Sequence, residues 1–119
     1  MARILLAEDD DSMRAFLAKS LERGGHDVDA VGDGVDALAA LISTRFDLLL
    51  ADIVMPGLDG IELARRAVAD DPALRVILIT GFAAVALRAK DEAPDGAQVL
   101  SKPMHLRDLV HQVDEILAA

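Results

Sequence analysis

Short apolar runs alternate along the chain with segments that carry a helical pattern. Residues 4–7, 48–51 and 76–79 are continuously apolar, which is typical of strands buried on both faces of a parallel sheet. Residues 27–31 alternate between polar and apolar side chains and predict a more exposed edge strand. A further short strand is predicted at about residues 97–101. Five strands, each followed by a helical segment, are therefore expected.

Apolar residues recur at intervals of three or four after each run, which predicts five helices. The first ends at Gly24-Gly25, the third is capped by Asp59, and the fourth is a weak, Ala-rich helix at about residues 83–91. The side chains expected on the inner faces of the first, second, third and fifth helices are Met13, Phe16, Leu17 and Leu21; Val35, Leu38, Leu41 and Ile42; Ile61, Ala64 and Val68; and Leu106, Leu109, Val113 and Leu117. The alternation predicts an α/β fold, (βα)5, with a doubly wound five-stranded parallel sheet in the flavodoxin-like strand order 2-1-3-4-5.

Composition and charge narrow the class of protein. The chain has 119 residues, of which 53% are apolar, so one globular domain over residues 1–119 is expected, without an output domain. The absence of Cys excludes disulfides, thiolate metal sites and cysteine nucleophiles. No signal peptide or membrane-spanning run is visible, so a soluble cytoplasmic protein is expected. The net charge of −9 disfavours binding to nucleic acid or to anionic membranes.

Polar or charged residues directly follow four of the five predicted strands. In a doubly wound sheet, ligands bind outside the carboxyl ends of the strands, near the point where the strand order reverses. The residues that the strands deliver to this edge are Glu8-Asp9, Asp52, Thr80 and Lys102. This coincidence predicts a polar site at the carboxyl edge of the sheet.

Each of these residues alone has a simpler explanation. An acid after a strand is often only a helix N-cap, which is the preferred interpretation of Asp10 or Asp11. Thr80 could be an ordinary loop hydroxyl, and Lys102 could be solvated. As a set, however, carboxylates about 5 Å apart repel one another by roughly 3 kcal/mol per pair at an effective dielectric constant of about 20. A hard divalent cation together with Lys102 would relieve that repulsion, and magnesium suits a site of one or two carboxylates, a carbonyl and retained waters.

The order and spacing of Glu8-Asp9, Asp52, Thr80 and Lys102-Pro103 resemble the receiver domain of bacterial two-component response regulators. The resemblance covers essentially the whole chain. It implies that Asp52 is the phosphoacceptor and that Asp9 and Asp52 bind Mg2+ directly. It further implies that Val54 contributes its backbone carbonyl to the metal, while Glu8 acts mainly through a metal-bound water.

The same resemblance assigns roles to Thr80 and Lys102. Thr80 would hydrogen-bond the phosphoryl group, and Lys102 would pair with it, preceding a cis Lys102–Pro103 bond. The implied donor is a phosphohistidine on a histidine kinase or a histidine phosphotransfer protein. The domain would be a signal carrier rather than an enzyme, with only self-directed phosphotransfer and dephosphorylation.

The chain departs from the family pattern at Val99. Receivers usually carry Tyr or Phe three residues before the lysine as a rotameric switch, whereas this chain has Val99. The structural response to phosphorylation is therefore expected to differ, and movement around Phe82 is a candidate for it.

Without an output domain the signal is expected to pass by docking to a protein target. The chain is expected to be a monomer or a weak dimer. The chain also resembles stand-alone receivers that act as adaptors for the ClpXP protease.

Two other functions are compatible with the same fold. An aspartate-nucleophile phosphatase usually has a second Asp two residues after the nucleophile, where this chain has Val54. A flavin-binding electron carrier is disfavoured because the chain lacks Trp and Tyr and places acids where a phosphate would bind. Both remain alternatives to the receiver hypothesis.

Overall fold

The computed structural model describes residues 2–102 and 105–118 and contains, within them, a five-stranded parallel sheet. The strands are Arg3–Ala7 (β1), Asp27–Val31 (β2), Leu48–Asp52 (β3), Arg75–Thr80 (β4) and Gln98–Ser101 (β5). Their order across the sheet is β2-β1-β3-β4-β5, which confirms the predicted strand order and places β1 and β3 side by side. The strand β2 lies at an edge and is largely exposed, as its alternating pattern predicted.

Helices cover both faces of this sheet. They are Asp11–Arg23 (α1), Gly34–Ser43 (α2), Gly60–Asp70 (α3), Ala83–Glu92 (α4) and Leu106–Ala118 (α5). One core includes residues from α2, α3 and α4, and the other includes residues from α1 and α5. Within β3, Leu49 and Ala51 face the first core, whereas Leu48 and Leu50 face the second. This division explains why the strand is apolar at every position.

The structure confirms the predicted N-caps of α1 and α3 and several of the predicted buried residues of α3 and α5. Asp10 is the N-cap of α1, and its side chain accepts a hydrogen bond from the Met13 amide, as expected for an acid after a strand. Asp59 caps α3 in the same way, and Ile61 of that helix is buried. In α5, Leu109 and Val113 are buried as predicted.

None of the described helices combines the length and the apolarity needed to cross a bilayer.

The predicted inner faces of α1 and α2 are partly wrong. Phe16 and Val35 are each 61% exposed, and Ile42 is 75% exposed. In α1 the buried side chains are Leu17 and Leu21, and Phe16 lies about 100° around the helix from Leu17 because an α-helix has about 3.6 residues per turn.

Small residues explain the error in α2. The buried residues of this helix are Gly34, which lies against the Leu58 backbone, and Ala37, which packs in the first core. Both lie next to positions that the apolar pattern selected. Leu38 and Leu41 pack only against the edge of that core. A prediction based on large apolar residues alone therefore rotates the buried face of such a helix away from its true position.

Candidate functional site

The strand register brings the acidic residues together. In the parallel pairing of β1 with β3, Ala7 lies opposite Ala51, so the next residues along each strand, Glu8 and Asp52, emerge side by side. One carboxylate oxygen from each of Glu8, Asp9 and Asp52 lies within 4.8 Å of the other two. The predicted cluster of three acids at the carboxyl edge is therefore present in the structure.

Lys102 reaches across the sheet to two of these acids. Its backbone follows β5, and its amide donates a hydrogen bond of 2.7 Å to the carbonyl of Thr80. Its ammonium donates to Glu8 Oε1 at 3.0 Å and to Asp52 Oδ2 at 2.9 Å. One cation thus pairs with acids that come from both central strands, β1 and β3.

Thr80 and Val54 take positions beside this cluster. Asp52 pairs with Ile79 in the sheet, so Thr80 lies one residue beyond that pair, and it is almost fully buried. The Thr80 hydroxyl accepts a hydrogen bond of 3.1 Å from the Phe82 amide. The Val54 amide donates to Asp52 Oδ1 at 3.2 Å, which ties the loop after β3 back onto the carboxylate. The cis bond expected before Pro103 lies outside the described residues.

The surroundings of Glu8 act on its pKa in opposite directions. Burial raises the pKa of the Glu8 carboxyl, because the protein interior solvates the ionised form poorly, and the nearby Asp52 charge raises it further. Hydrogen bonds from Lys102 and from the Asp10 amide lower this pKa but do not offset the burial. For Lys102, burial alone lowers the pKa, but the hydrogen bonds and charges of Asp52 and Glu8 outweigh it and raise the pKa above its usual value.

The donor set fits a hard divalent cation. The cluster offers carboxylate oxygens only, which is the chemistry that magnesium prefers. Asp9 is exposed, and its carboxylate makes no hydrogen bond or ion pair with any described residue, so it has free lone pairs. Lys102 already neutralises part of the charge on Glu8 and Asp52. A bound cation would compete with that ammonium for the same two side chains.

Glu8→Gln is expected to raise the free energy of unfolding at neutral pH in the absence of metal. Because the pKa of Glu8 is raised in the folded chain, its ionised form destabilises the fold, and the amide removes that charge. Lys102 keeps Asp52 as a partner. The gain is present above the raised pKa, shrinks as the pH falls through it, and disappears below the unfolded value of 4.5. Urea unfolding over a series of pH values measures it.

Glu22→Gln is the matched control, since Glu22 is exposed near the end of α1 and undergoes the same chemical change. This variant is expected to stay within about 0.5 kcal/mol of the wild type at every pH. If Glu8→Gln instead lowered the stability at neutral pH, the pairing with Lys102 would outweigh the burial of Glu8, contrary to the direction of its pKa shift.

The sequence did not identify Arg14 as part of this site. Its guanidinium donates to the Glu8 carbonyl at 2.9 Å and to Asp11 Oδ1 at 2.6 Å. An arginine one turn after a row of four acids was the available signal, since residues three apart on a helix are neighbours. Val99, at the position where receivers usually carry Tyr or Phe, is partly buried and packs against the core that contains residues of α2, α3 and α4.

Comparisons with known proteins agree with this geometry. Residues 4–114 match the family model for the response regulator receiver domain. The chain is 56% identical to the response regulator receiver protein CpdR of Brucella abortus (strain 2308), over 100% of this chain and 99% of that protein. Other curated relatives at 35–36% identity are longer, since the chain spans only 42–50% of their length.

Two solved structures share the fold. A response regulator receiver protein from Sinorhizobium medicae WSM419 superposes with a TM-score of 0.91 at 30% identity, covering 98% of this chain and 94% of that one. The response regulator TrrA from Thermotoga maritima, solved in complex with Mg(2+)-BeF, superposes with a TM-score of 0.87 at 28% identity, covering 98% and 99%. Proteins of this type are signalling domains rather than catalysts. The chain belongs to the family of response regulator receiver domains.

Proposed function

We propose that this chain is a single-domain response regulator that accepts a phosphoryl group on Asp52 in the presence of Mg2+. The observation that carries the proposal is the position of the Asp52 carboxylate at the end of β3, within 4.8 Å of the oxygens of two further acids and 2.9 Å from the Lys102 ammonium. Receiver domains bind Mg2+ at an acidic pocket, and these residues fit one. Asp9 and Asp52 would hold the ion directly, Val54 through its carbonyl, and Glu8 through a water.

The proposed reaction is a transfer between two nucleophiles. An oxygen of Asp52 attacks the phosphorus of a phosphohistidine, an O–P bond forms, the P–N bond breaks, and the imidazole leaves with the electron pair of that bond. When bound, Mg2+ supplies positive charge that neutralises the transferred oxygens. Lys102 already contacts Asp52 and places its ammonium where additional negative charge develops. The product is an acyl phosphate on Asp52.

Thr80 is suited to detect the product. Its hydroxyl oxygen accepts the Phe82 amide hydrogen, so the hydroxyl's own hydrogen is available for a phosphoryl oxygen. Phe82 is also the N-cap residue of α4 and provides no side-chain capping hydrogen bond, so this end of the helix has little local stabilisation. Movement of Thr80 toward a phosphoryl group would therefore shift Phe82 and the first turn of α4.

The available energy is sufficient for such a switch. Phosphorylation adds negative charge and strong acceptor oxygens. Charge-assisted hydrogen bonds contribute roughly 1.5–3 kcal/mol each, so two of them approach the roughly 5.5 kcal/mol that inverts a 1:99 population. Because Val99 has no ring to swing between buried and exposed states, movement around the exposed Phe82 is the proposed readout.

The proposed partners follow from the family and from the relative. Receiver domains interact with histidine kinases or histidine phosphotransfer proteins, which we propose as the phosphoryl donors. For the output we propose cytoplasmic docking to a protein target that depends on phosphorylation. The ClpXP protease is the first target to test, because the resemblance to adaptor receivers is supported by the 56% identity to CpdR.

The proposal predicts a response to beryllofluoride, which mimics a phosphoryl group. With Mg2+ and beryllofluoride, backbone amide resonances should shift around residues 52–58, 80–90 and 99–102, which surround Asp52, Thr80 and Lys102. Neither reagent alone should produce this set of changes. Steady release of phosphate from small phosphate esters, without lasting change in the protein, would instead favour an aspartate-nucleophile phosphatase.

A further inference from the structure

Arg14 lies against the loop that carries two of the clustered acids. The loop is the run of four consecutive acids, residues 8–11, which begins directly after β1 and ends at Asp11, the first residue of α1. Arg14 Nη1 donates to the Glu8 carbonyl at 2.9 Å, and Nη2 donates to Asp11 Oδ1 at 2.6 Å. The two arms of one guanidinium therefore bridge both ends of this acidic loop.

Both backbone polar groups of Glu8 are hydrogen-bonded. Its amide donates to the carbonyl of Val31, at the end of β2, at 3.1 Å, while its carbonyl accepts from Arg14. The Glu8 side chain in turn accepts from the Asp10 amide at 3.2 Å. These contacts fix the backbone on which the Asp9 carboxylate is mounted, although that carboxylate itself has no partner among the described residues.

Gly32 provides the space for the guanidinium. A Cβ atom added to Gly32 would lie 3.1 Å from Arg14 Nη1 and 3.7 Å from its Cζ, so the glycine leaves room for this close approach. The Arg14 side chain is 25% exposed. Partial burial reduces solvent competition for its hydrogen bond to the Glu8 carbonyl, whereas the Asp11 carboxylate is 90% exposed and forms an ordinary surface ion pair with Arg14.

We infer that Arg14 is a positioning residue for Mg2+: its guanidinium holds the Glu8–Asp11 loop so that the Asp9 carboxylate is oriented toward Asp52. The inference rests on the proposed function, in which Asp9 and Asp52 bind the ion. Arg14 acts on the metal in two opposing ways. Its positive charge repels a cation, whereas its hydrogen bonds pre-organise the ligands, and the inference requires pre-organisation to be the larger effect. Partners that orient metal ligands typically change metal affinity by about 10–100-fold when removed.

Magnesium affinity in two variants distinguishes these effects by sign. Arg14→Met removes both the charge and the hydrogen bonds, and Arg14→Lys keeps the charge but cannot bridge Glu8 and Asp11 with a planar fork. Calorimetric titration with MgCl2 should show a dissociation constant about tenfold higher than wild type for Arg14→Met. Arg14→Lys should show an increase in the same direction.

Arg45→Met is the matched control. Arg45 lies just before β3, at the opposite end of the sheet from Asp52, and its side chain is well exposed beside Asp71. The Arg45→Met substitution removes one positive charge from the chain and leaves the contacts of the acidic loop unchanged. Its dissociation constant for Mg2+ is expected to stay within about twofold of wild type, since charges separated by more than the Debye length are screened.

Amide hydrogen exchange without metal gives an independent readout. The amides of Glu8 and Asp10 should exchange several-fold faster in Arg14→Met than in wild type, while amides in the middle of β3 should be unchanged. Tighter Mg2+ binding by Arg14→Met would show that charge repulsion dominates and would overturn the inference. So would a wild-type affinity in Arg14→Lys, or unchanged exchange in the loop. Absence of Mg2+ binding by the wild type would overturn the proposed function instead, and the exchange measurement would still decide whether Arg14 orders the loop.

Discussion

Asp52→Asn is expected to abolish phosphoryl incorporation from acetyl phosphate, with a loss of more than about a hundredfold, as for removal of other enzymatic nucleophiles. The amide is nearly isosteric with the carboxylate, so the side chain still fits its mostly buried position beside Lys102. It lacks the anionic oxygen that would attack phosphorus, and it removes one of the two carboxylates assigned to bind Mg2+ directly. A phosphate-affinity gel, or labelled acetyl phosphate, measures the incorporated phosphoryl group.

Asp10→Asn is the control for this variant. It makes the same chemical change next to Asp9, and Asn is as good an N-cap as Asp, so the hydrogen bond with the Met13 amide and the start of α1 should persist. Incorporation by Asp10→Asn should remain within about threefold of wild type, as expected for a surface charge outside the reacting group. Retention of the phosphoryl group by Asp52→Asn would move the acceptor to another side chain.

Gly34→Ala is expected to destabilise the fold by about 3 kcal/mol, the upper end of the usual cost of overpacking. Gly34 is the first residue of α2, and a Cβ atom there would collide with the backbone carbonyl of Leu58 in the loop after β3. That loop cannot easily retreat, because the Gly60 amide at its far end is bound to the Ile53 carbonyl at 2.8 Å. Urea unfolding followed by far-ultraviolet circular dichroism measures the loss.

Gly60 is a second closely packed glycine, and it lies directly against the backbone of Asp52. A Cβ atom on Gly60 would lie 2.5 Å from the Asp52 carbonyl oxygen, so Gly60→Ala should destabilise the fold and also displace the acceptor residue. Gly81→Ala is the control, since its added atom would lie 3.9 Å from Lys102 Cβ and its φ angle is not positive. It should be neutral or stabilising by up to about 1 kcal/mol. Equal stability of Gly34→Ala and Gly81→Ala would contradict the packing described here.

The sheet and the acidic cluster could be predicted from sequence because both depend on the same signal. A continuous apolar run marks a strand buried on both faces, so the first polar residue after it marks the carboxyl edge of the sheet. Glu8, Asp52 and Thr80 each occupy such a position. Lys102 follows β5, which is shorter and only partly buried, and parallel pairing then places all four residues at one edge. Their proximity follows from topology, not from any local feature of the chain.

Helix orientation and hydrogen-bond partners were less predictable for physical reasons. Phe16 and Val35 are apolar but exposed. In α1 the buried face is set by Leu17 and Leu21, and in α2 by the small residues Gly34 and Ala37. The sequence placed Lys102 near the acids, but it did not indicate that the ammonium would bridge Glu8 and Asp52. The spacing of Arg14 from Asp11 was a local signal for that ion pair but not for the bond to the Glu8 carbonyl. Long side chains have many rotamers, and only the assembled neighbours select one of them.

A crystal structure determined in the presence of magnesium tests the central claim most directly. The expected result is one ion bound by carboxylate oxygens of Asp9 and Asp52 and by the Val54 carbonyl at about 2.1 Å, with Glu8 reached through water. Lys102 should then shift away from at least one of its two acidic partners, since the ion occupies the same pocket. An ion bound elsewhere, or a pocket in which Lys102 alone neutralises Glu8 and Asp52 at saturating magnesium, would contradict a metal-assisted phosphoacceptor at Asp52.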